Sequence, residues 1–547
     1  MGSKFLKGAM ILSISMFATR LLGILYVVPF QRLVGETGLA LYQYAYIPYS
    51  LFINLSTLGI PVGIAKFVSK YNADGEYDTS RKIFMYGTIF MFFLGILGFW
   101  ALYALAPWYA TRVLGGEEAL YNTHEDVVSA IRMVSFAILI VPPMSIFRGF
   151  FQGNQNMTPT AVSQFVEQLV RVVLIVVGSF VILRVFNGTS QVAVSFSVFA
   201  AFLSGISSFF ILYVYWIKNR KKYDKLVLKS VKHKHRSVSA LFFELMSYAL
   251  PFAVLALITN LFQLVDTMTF NYYMIQGAGV DRVLSERLSG IYGTSLFKIV
   301  MIPVSFSVAF GHPLVPEITA KLREGNTREV RKVLMLAIRL TSFITLPAVI
   351  GMSLLSNPIY IMFFSSPVEG LNAMGGAIFA TGAFIGLFMS INSILTSVLQ
   401  GIDGEVKGIV FLVIALVIKY VGNVLLIPIL EVNGAILATI LAHGFCVVMN
   451  LFEIKKRTNL KIGLLIKQHL SIVIFTGFMA VAVWLTSLIL NVFISYEASR
   501  FQSVIYVLIS GLVGFGVYFG LALYFDLMKS LFGERLSYDN VSKLWRK

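Results

Sequence analysis

The chain contains one cysteine, Cys446, and is poor in acid: 26 Asp and Glu face 44 Lys and Arg over 547 residues. A single thiol excludes an intrachain disulfide and a thiolate metal cluster. Charged residues of either sign make up only 13%, against 57% apolar ones. That balance excludes an ordinary water-soluble globule. The six histidines include His124, His312 and His443, which are scattered along the chain. With no cluster of nucleophile, base or metal ligands in view, a membrane enzyme is disfavoured and no cofactor is expected.

What the chain has instead is long apolar runs. Fourteen can be drawn, at 8–30, 38–65, 83–110, 129–151, 159–183, 189–217, 240–274, 288–316, 333–357, 375–399, 408–430, 433–453, 468–494 and 502–525. Most exceed the roughly 20 residues that a helix needs to cross a hydrocarbon core. The expected fold is therefore an all-α polytopic membrane protein with about 14 transmembrane helices. If both termini share a side with every second loop, 31 of the 44 basic residues collect there, and the other side holds Arg32, Arg112, Arg184, Arg282, Arg287 and Arg500. The positive-inside rule then makes both termini cytoplasmic. The net charge of +18 reads as attraction to anionic lipid headgroups, with no nucleic acid implied. Its densest stretch, Lys218 to Arg236, carries nine basic residues. The first apolar run lacks a small-residue cleavage site and reads as a retained helix.

An internal repeat organises the runs. Ser145-Ile146 through Gln152-Gly153 recurs as Ser393-Ile394 through Gln400-Gly401, an offset of 248, which also sets Arg171 over Lys419. At an offset of 250, Asp74-Gly75, Arg81-Lys82 and Met85 recur as Glu324-Gly325, Arg331-Lys332 and Met335. Matched runs lie six apart, an even number, so the two halves should be parallel six-helix lobes. Residues 1–217 would form the N-lobe, 218–239 a basic cytoplasmic loop, 240–454 the C-lobe, and 455–547 an appended helix pair with a tail. Parallel repeats are one plan for transporters that work by alternating access, with the substrate path between the halves.

Seven cations fall inside the runs: Arg20, Arg132, Arg148, Arg171, Lys298, Arg339 and Lys419. Each needs a partner, water or a function, because an ion at the bilayer centre costs at least about 2.5–3.5 kcal/mol. Arg132, Arg148 and Arg339 lie near run ends and are expected to snorkel to the interface. Glu167 precedes Arg171 by four residues, so the two share a helix face and should pair. Arg20 and Lys298 have no acid within their own helices, which points to an anion brought by the substrate, most simply a phosphate. Asp266 on the seventh run, with Lys419 and Asn423 on the eleventh, could form an ion pair, a proton relay or a cation site. Pro142-Pro143, Pro251 and Pro303 are expected to bend their helices.

The run Ser13-Ile14-Ser15-Met16-Phe17-Ala18-Thr19-Arg20-Leu21-Leu22-Gly23, continuing to Arg32-Leu33-Val34-Gly35, resembles the start of MurJ-type lipid II flippases, and Lys298, Pro303 and Leu314-Val315-Pro316 resemble that family's helix 8. These flippases belong to the multidrug/oligosaccharidyl-lipid/polysaccharide exporter superfamily, and the likeness is greatest to a Gram-positive polysaccharide-biosynthesis and sporulation branch. The resemblance implies translocation of an undecaprenyl-pyrophosphate-linked peptidoglycan precursor to the outer leaflet, with cell-wall synthesis machinery as a possible partner. It implies substrate contacts at Arg20 and Lys298, to which Arg32 and Arg148 are added here as further candidates. Asp266, Asn423 and Thr439 match the groups that hold sodium in ion-coupled relatives, with Lys419 a possible stand-in for the ion. Membrane potential, Na+ and H+ all stay open as energy sources. The family's Arg-Asp pair after the first-helix glycine is Tyr26-Val27 here, and its second-helix arginines fall near Ile53 and Asn54. Other functions in view are a flippase for another wall, capsule or spore saccharide, and a multidrug antiporter. An antiporter for organic cations would be expected to use acidic cavity residues.

Overall fold

The computed structural model describes residues 15, 18–19, 22–23, 26–57, 60–115, 121–231, 243–244, 257–258 and 260–532. Among these the regular structure is helical. In chain order the helices are α1 (Val27–Thr57), α2 (Ile60–Ala73), α3 (Tyr77–Val113), α4 (His124–Ser135), α5 (Ala137–Gly153), α6 (Thr158–Phe180) and α7 (Ser190–Leu228), then α8 (260–272), α9 (Arg282–Gly290) and α10 (Phe297–Arg323). They continue as α11 (Thr327–Leu354), α12 (Ser356–Phe364), α13 (Leu371–Gly401), α14 (Glu405–Leu430), α15 (Val432–Thr458), α16 (Ile462–Phe493), α17 (Arg500–Tyr524) and α18 (Leu527–Phe532). Eleven stretches among the described residues are long and apolar enough to cross a membrane, and each overlies one of the expected runs. The first run and the opening part of the seventh, 240–259, lie largely outside the described residues. The second belongs to α1, which is bent at Gly35 (φ 73°) where the chain reverses.

Helix breaks follow backbone chemistry. The bend expected at Pro142-Pro143 occurs instead at Phe136, between α4 and α5. Proline denies a hydrogen bond to the carbonyl four residues earlier and its ring crowds that carbonyl, so the disturbance falls on the preceding turn. Pro303 lies within α10, and a π-helical turn over Ile291–Leu296 precedes that helix. Pro251 is outside the described residues.

Packing divides the chain into two compact units, Met1–Gly293 and Thr294–Lys547. In the first, α1 packs on α3, α4, α7 and α9, while α3 and α2 pack on α5, and α6 on α7. In the second, α13 packs on α10, α11 and α15, and α14 on α15. The pair α16 and α17 pack on each other, and on α11 and α12 respectively. The unit boundary follows contacts, and α9 joins the first unit because it packs on α1.

The sequence repeat is also a packing repeat. Ile64, Val68, Phe84, Ile146, Phe147, Phe150 and Phe151 share one buried cluster in the first unit. Their counterparts at the two offsets, Leu314, Ile318, Leu334, Ile394, Leu395, Val398 and Leu399, share one in the second. A Cβ on Gly153 would strike Val68 and the Ala65 carbonyl, and one on Gly401 would strike Ile318 and the Val315 carbonyl. The same close approach of two helices is thus kept in both halves, and only glycine permits it. The turns repeat as well. Gly75 and Gly325 have φ of 76° and 72°, and Gln155 and Asp403 have 57° and 55°.

Candidate substrate and coupling sites

In the first unit, the cations of α5 and α6 converge on one carboxylate. Glu167 Oε1 accepts from Arg171 Nη2 at 2.9 Å, one helical turn on, and its Oε2 accepts from Arg148 Nη2 at 2.6 Å. All three side chains are 14–16% exposed. Serines of α6 and α7 complete the shell: Arg148 donates to Ser208 Oγ (2.9 Å) and Ser163 Oγ (3.3 Å), and Arg171 to Ser204 Oγ (3.3 Å). The expected Glu167–Arg171 pair is present. The snorkelling expected of Arg148 is corrected: its head turns inward because a buried carboxylate is within reach. Two guanidinium groups on one carboxylate leave the cluster with one net positive charge.

Beside it, α1 carries a row of tyrosines. Tyr42 and Tyr46 stack at 5.6 Å, Tyr46 and Tyr49 approach at 5.6 Å, and Tyr26 Oη lies 3.2 Å from Tyr42 Oη. Positions 42, 46 and 49 have the spacing of one helix face. Their spacing is legible in the sequence, but no formal charge singles them out. Asn54 donates to the Ser50 carbonyl of its own helix at 3.0 Å.

Polar groups also tie together the ends of α1, α8 and α9 and the turn before α4. Glu286 accepts from the Asn122 side chain at 2.8 Å and from its backbone at 3.1 Å, and Asn122 donates to the Thr37 carbonyl at 2.9 Å. Asn271 donates to Tyr44 Oη at 2.7 Å and accepts from Ser285 at 3.0 Å, while Arg287 Nη1 lies 3.8 Å from Glu36. Glu286 and Asn271 are 0% exposed, so this end of the unit is held by satisfied polar groups. Sequence separation, 164 residues for Asn122 and Glu286, hid the network. Arg32 is exposed, three residues before the Gly35 reversal. Asp266 is buried and accepts from Tyr292 Oη at 2.9 Å, with Phe270 stacked on Tyr292 at 5.6 Å. Arg20 lies outside the described residues.

In the second unit, Lys419 and Asn423 are fully buried one turn apart on α14. Lys419 Nζ donates to the Ala435 carbonyl at 3.0 Å and to Thr439 Oγ1, and Thr439 donates to the same carbonyl at 2.8 Å. Of the residues matched to ion-coupled relatives, Asn423 and Thr439 are therefore on facing stretches of α14 and α15, with Lys419 beside them. The helices meet closely there: a Cβ on Gly422 would strike Ala438. Asp266 belongs to the first unit. Lys298 is half-buried, the second residue of α10, just past the π-helical turn. Among the described residues no group of three or more metal-ligating side chains occurs.

The architecture is shared with solved membrane transporters. An inward-facing multidrug transporter of the MATE family and MOP superfamily matches with TM-score 0.66 at 14% identity, over 83% of this chain and 99% of that one. A lipid II flippase MurJ matches with TM-score 0.64 at 17% identity, over 95% of this chain and 100% of that one. The fold is thus that of the MOP transporters. Sequence narrows it further. The family model described as polysaccharide biosynthesis protein matches residues 5–320, and that for lipid II flippase MurJ matches residues 292–500. Lipid II flippase MurJ of Bacillus subtilis (strain 168) is 38% identical over 98% of this chain and 98% of its own length. Stage V sporulation protein B of the same organism is 27% identical over 61% of this chain and 62% of its own. The chain belongs to the MurJ lipid II flippase family.

Proposed function

We propose that this protein carries lipid II, a saccharide linked through pyrophosphate to a polyprenyl chain, from the cytoplasmic to the outer leaflet of a bacterial membrane. The observation that carries the reading is 38% identity to a lipid II flippase over nearly the full length of both chains. It makes the protein a transporter rather than an enzyme. In this reading the chain crosses the membrane fourteen times with both termini cytoplasmic, and two parallel six-helix lobes alternate access to a site between them. Arg20 and Lys298 hold the pyrophosphate from opposite halves, and Arg32 and Arg148 add positive potential along the path. Support for a phosphate-bearing cargo comes from the excess of cations over acids within the apolar runs. Asp266 and Lys419, with Asn423 and Thr439, form the coupling element, driven by membrane potential or an ion.

Depletion of the protein in its native bacterium, with lipid II quantified leaflet by leaflet, tests the proposal. Lipid II should accumulate in the inner leaflet, and plasmid-borne wild type should reverse this. Unchanged lipid II distribution, with another lipid-linked saccharide retained instead, would favour a different cargo. That second reading draws on Tyr26-Val27, Ile53 and Asn54 at positions where lipid II flippases carry charge.

A further inference from the structure

One cation of the first unit has no part in the sites above. Arg132 lies two turns into α4, inside a stretch, His124–Gly153, apolar enough to span a membrane. Its guanidinium carbon stands 4.6 Å from the centre of the Tyr103 ring on α3, and its Nε is buried without a hydrogen-bond partner. A ring face offsets part of a cation's desolvation, but it supplies no acceptor for the N–H groups.

The guanidinium borders a cleft of about 560 Å³ between α3 and α4, lined by Tyr103, Pro107, His124, Glu125, Arg132 and Phe136. His124 Nε2 is engaged with the Pro107 carbonyl at 3.0 Å. Asp126, the other nearby acid, caps the start of α4 through Thr123 at 2.8 Å. Glu125 sits two helical turns before Arg132, at the mouth of the cleft. The inner wall is aromatic: Tyr103 packs against Phe99 and Trp100, and Phe99 against Phe136. The cleft runs out onto an apolar surface, where Met133, Trp100 and Trp108 are 41%, 61% and 55% exposed. Trp108, five residues from the end of α3, stands where tryptophan marks the headgroup level of a bilayer.

We propose that this cleft is a binding site for an anionic membrane phospholipid, whose phosphodiester accepts hydrogen bonds from Arg132 while its glycerol and upper acyl chain lie on the Tyr103–Phe136 wall. Free phosphate would satisfy the cation but would leave that wall facing hydrocarbon. The phosphate belongs to a lipid of the surrounding bilayer and is distinct from the cargo carried past Arg20 and Lys298.

Native mass spectrometry and thermal unfolding of the full chain test this, after exchange from phosphatidylcholine into mixed vesicles containing phosphatidylglycerol. Wild type should retain one more phosphatidylglycerol than Arg132→Met, and phosphatidylglycerol should raise its melting temperature. Arg132→Met should lose that rise, whereas Arg132→Lys, which keeps the charge, should keep part of it. Tyr103→Leu should weaken retention at least severalfold with the cation still present. Equal retention by wild type and Arg132→Met would overturn the proposal. So would the same stabilisation by inorganic phosphate alone, which would make the site one for a free anion, or by phosphatidylcholine, which would remove the requirement for net negative charge.

Discussion

Helices α6 and α14 hold corresponding places in the repeat, yet each deals with a buried cation differently. Arg171 has Glu167 one turn before it and shares that carboxylate with Arg148. Lys419, at the same repeat position, has Ala415 where the acid stands and Thr396 where the second arginine stands. The one acid on α14 is Glu405, at its first residue. The first half therefore gathers its two cations on one carboxylate within a single packed unit. In the second half Lys419 instead donates to neutral oxygens of the neighbouring α15, the Ala435 carbonyl and Thr439 Oγ1. The comparison assigns a structural role to the first cluster and leaves the second as the place to look for coupling.

Breaking the first cluster should have the largest effect. Glu167→Gln leaves two mostly buried arginines without their carboxylate, and removing one member of a fully buried set typically costs about 3–5 kcal/mol. A marked loss of membrane-inserted protein and a lower melting temperature in detergent are expected. An unchanged melting temperature would mean that the cluster is effectively solvated.

A smaller loss is expected in the second half. Asp266→Asn and Lys419→Met should each reduce transport and protein level, and the double variant should recover part of the level, with a non-additive term of about 0.5–3 kcal/mol. Purely additive effects would separate the two residues. Sodium dependence lost only in Asp266→Asn would instead make Asp266 part of a cation site.

Grafting the first half's solution onto the second sharpens the contrast. Ala415→Glu in the Asp266→Asn background places an acid four residues before Lys419, the favourable order for a helical pair. Ala415 is 0% exposed, and extra volume in a packed site costs about 1–3 kcal/mol. Recovery of protein level should therefore be partial, and transport should stay low because the new acid is fixed on the lysine's own helix. Full return of transport would reduce Asp266 to a simple neutralising charge.

Much of this contrast was legible beforehand, for reasons that separate local from distant effects. Apolar length exposed the runs, and a spacing of four residues exposed Glu167 with Arg171. Register also carried the repeat down to individual core positions, such as Ile64 with Leu314 and Phe150 with Val398. The inward turn of Arg148 is not legible in the sequence, because its acceptor lies 19 residues away and comes within reach only when α5 packs near α6. The Glu286–Asn122 bonds depend on a still longer closure. The tyrosines at 42, 46 and 49 had a readable period, and attention to charge concealed it.

The smallest expected effect tests the equivalence of the halves. Gly75→Ala and Gly325→Ala each place a side chain in the left-handed region, at about 1–2 kcal/mol, and should lower the melting temperature by similar amounts. Gly75→Ala should cost slightly more, since its Cβ would come within 3.3 Å of Val231, whereas Gly325 has open space. A drop confined to Gly325→Ala would show that the two turns are not equivalent.

The central claim, transport of a lipid-linked pyrophosphate, is tested most directly with purified protein in proteoliposomes that hold lipid II in both leaflets. An enzyme confined to the outside modifies whatever reaches the outer face. With wild type the modified fraction should rise past the half initially exposed and approach completion. The Arg20→Ala, Lys298→Ala double variant, reconstituted at the same density, should stay at the level of empty vesicles. Equal progress by wild type and the double variant would contradict a pyrophosphate site at these cations, and no progress by active, folded wild type would contradict lipid II as the cargo.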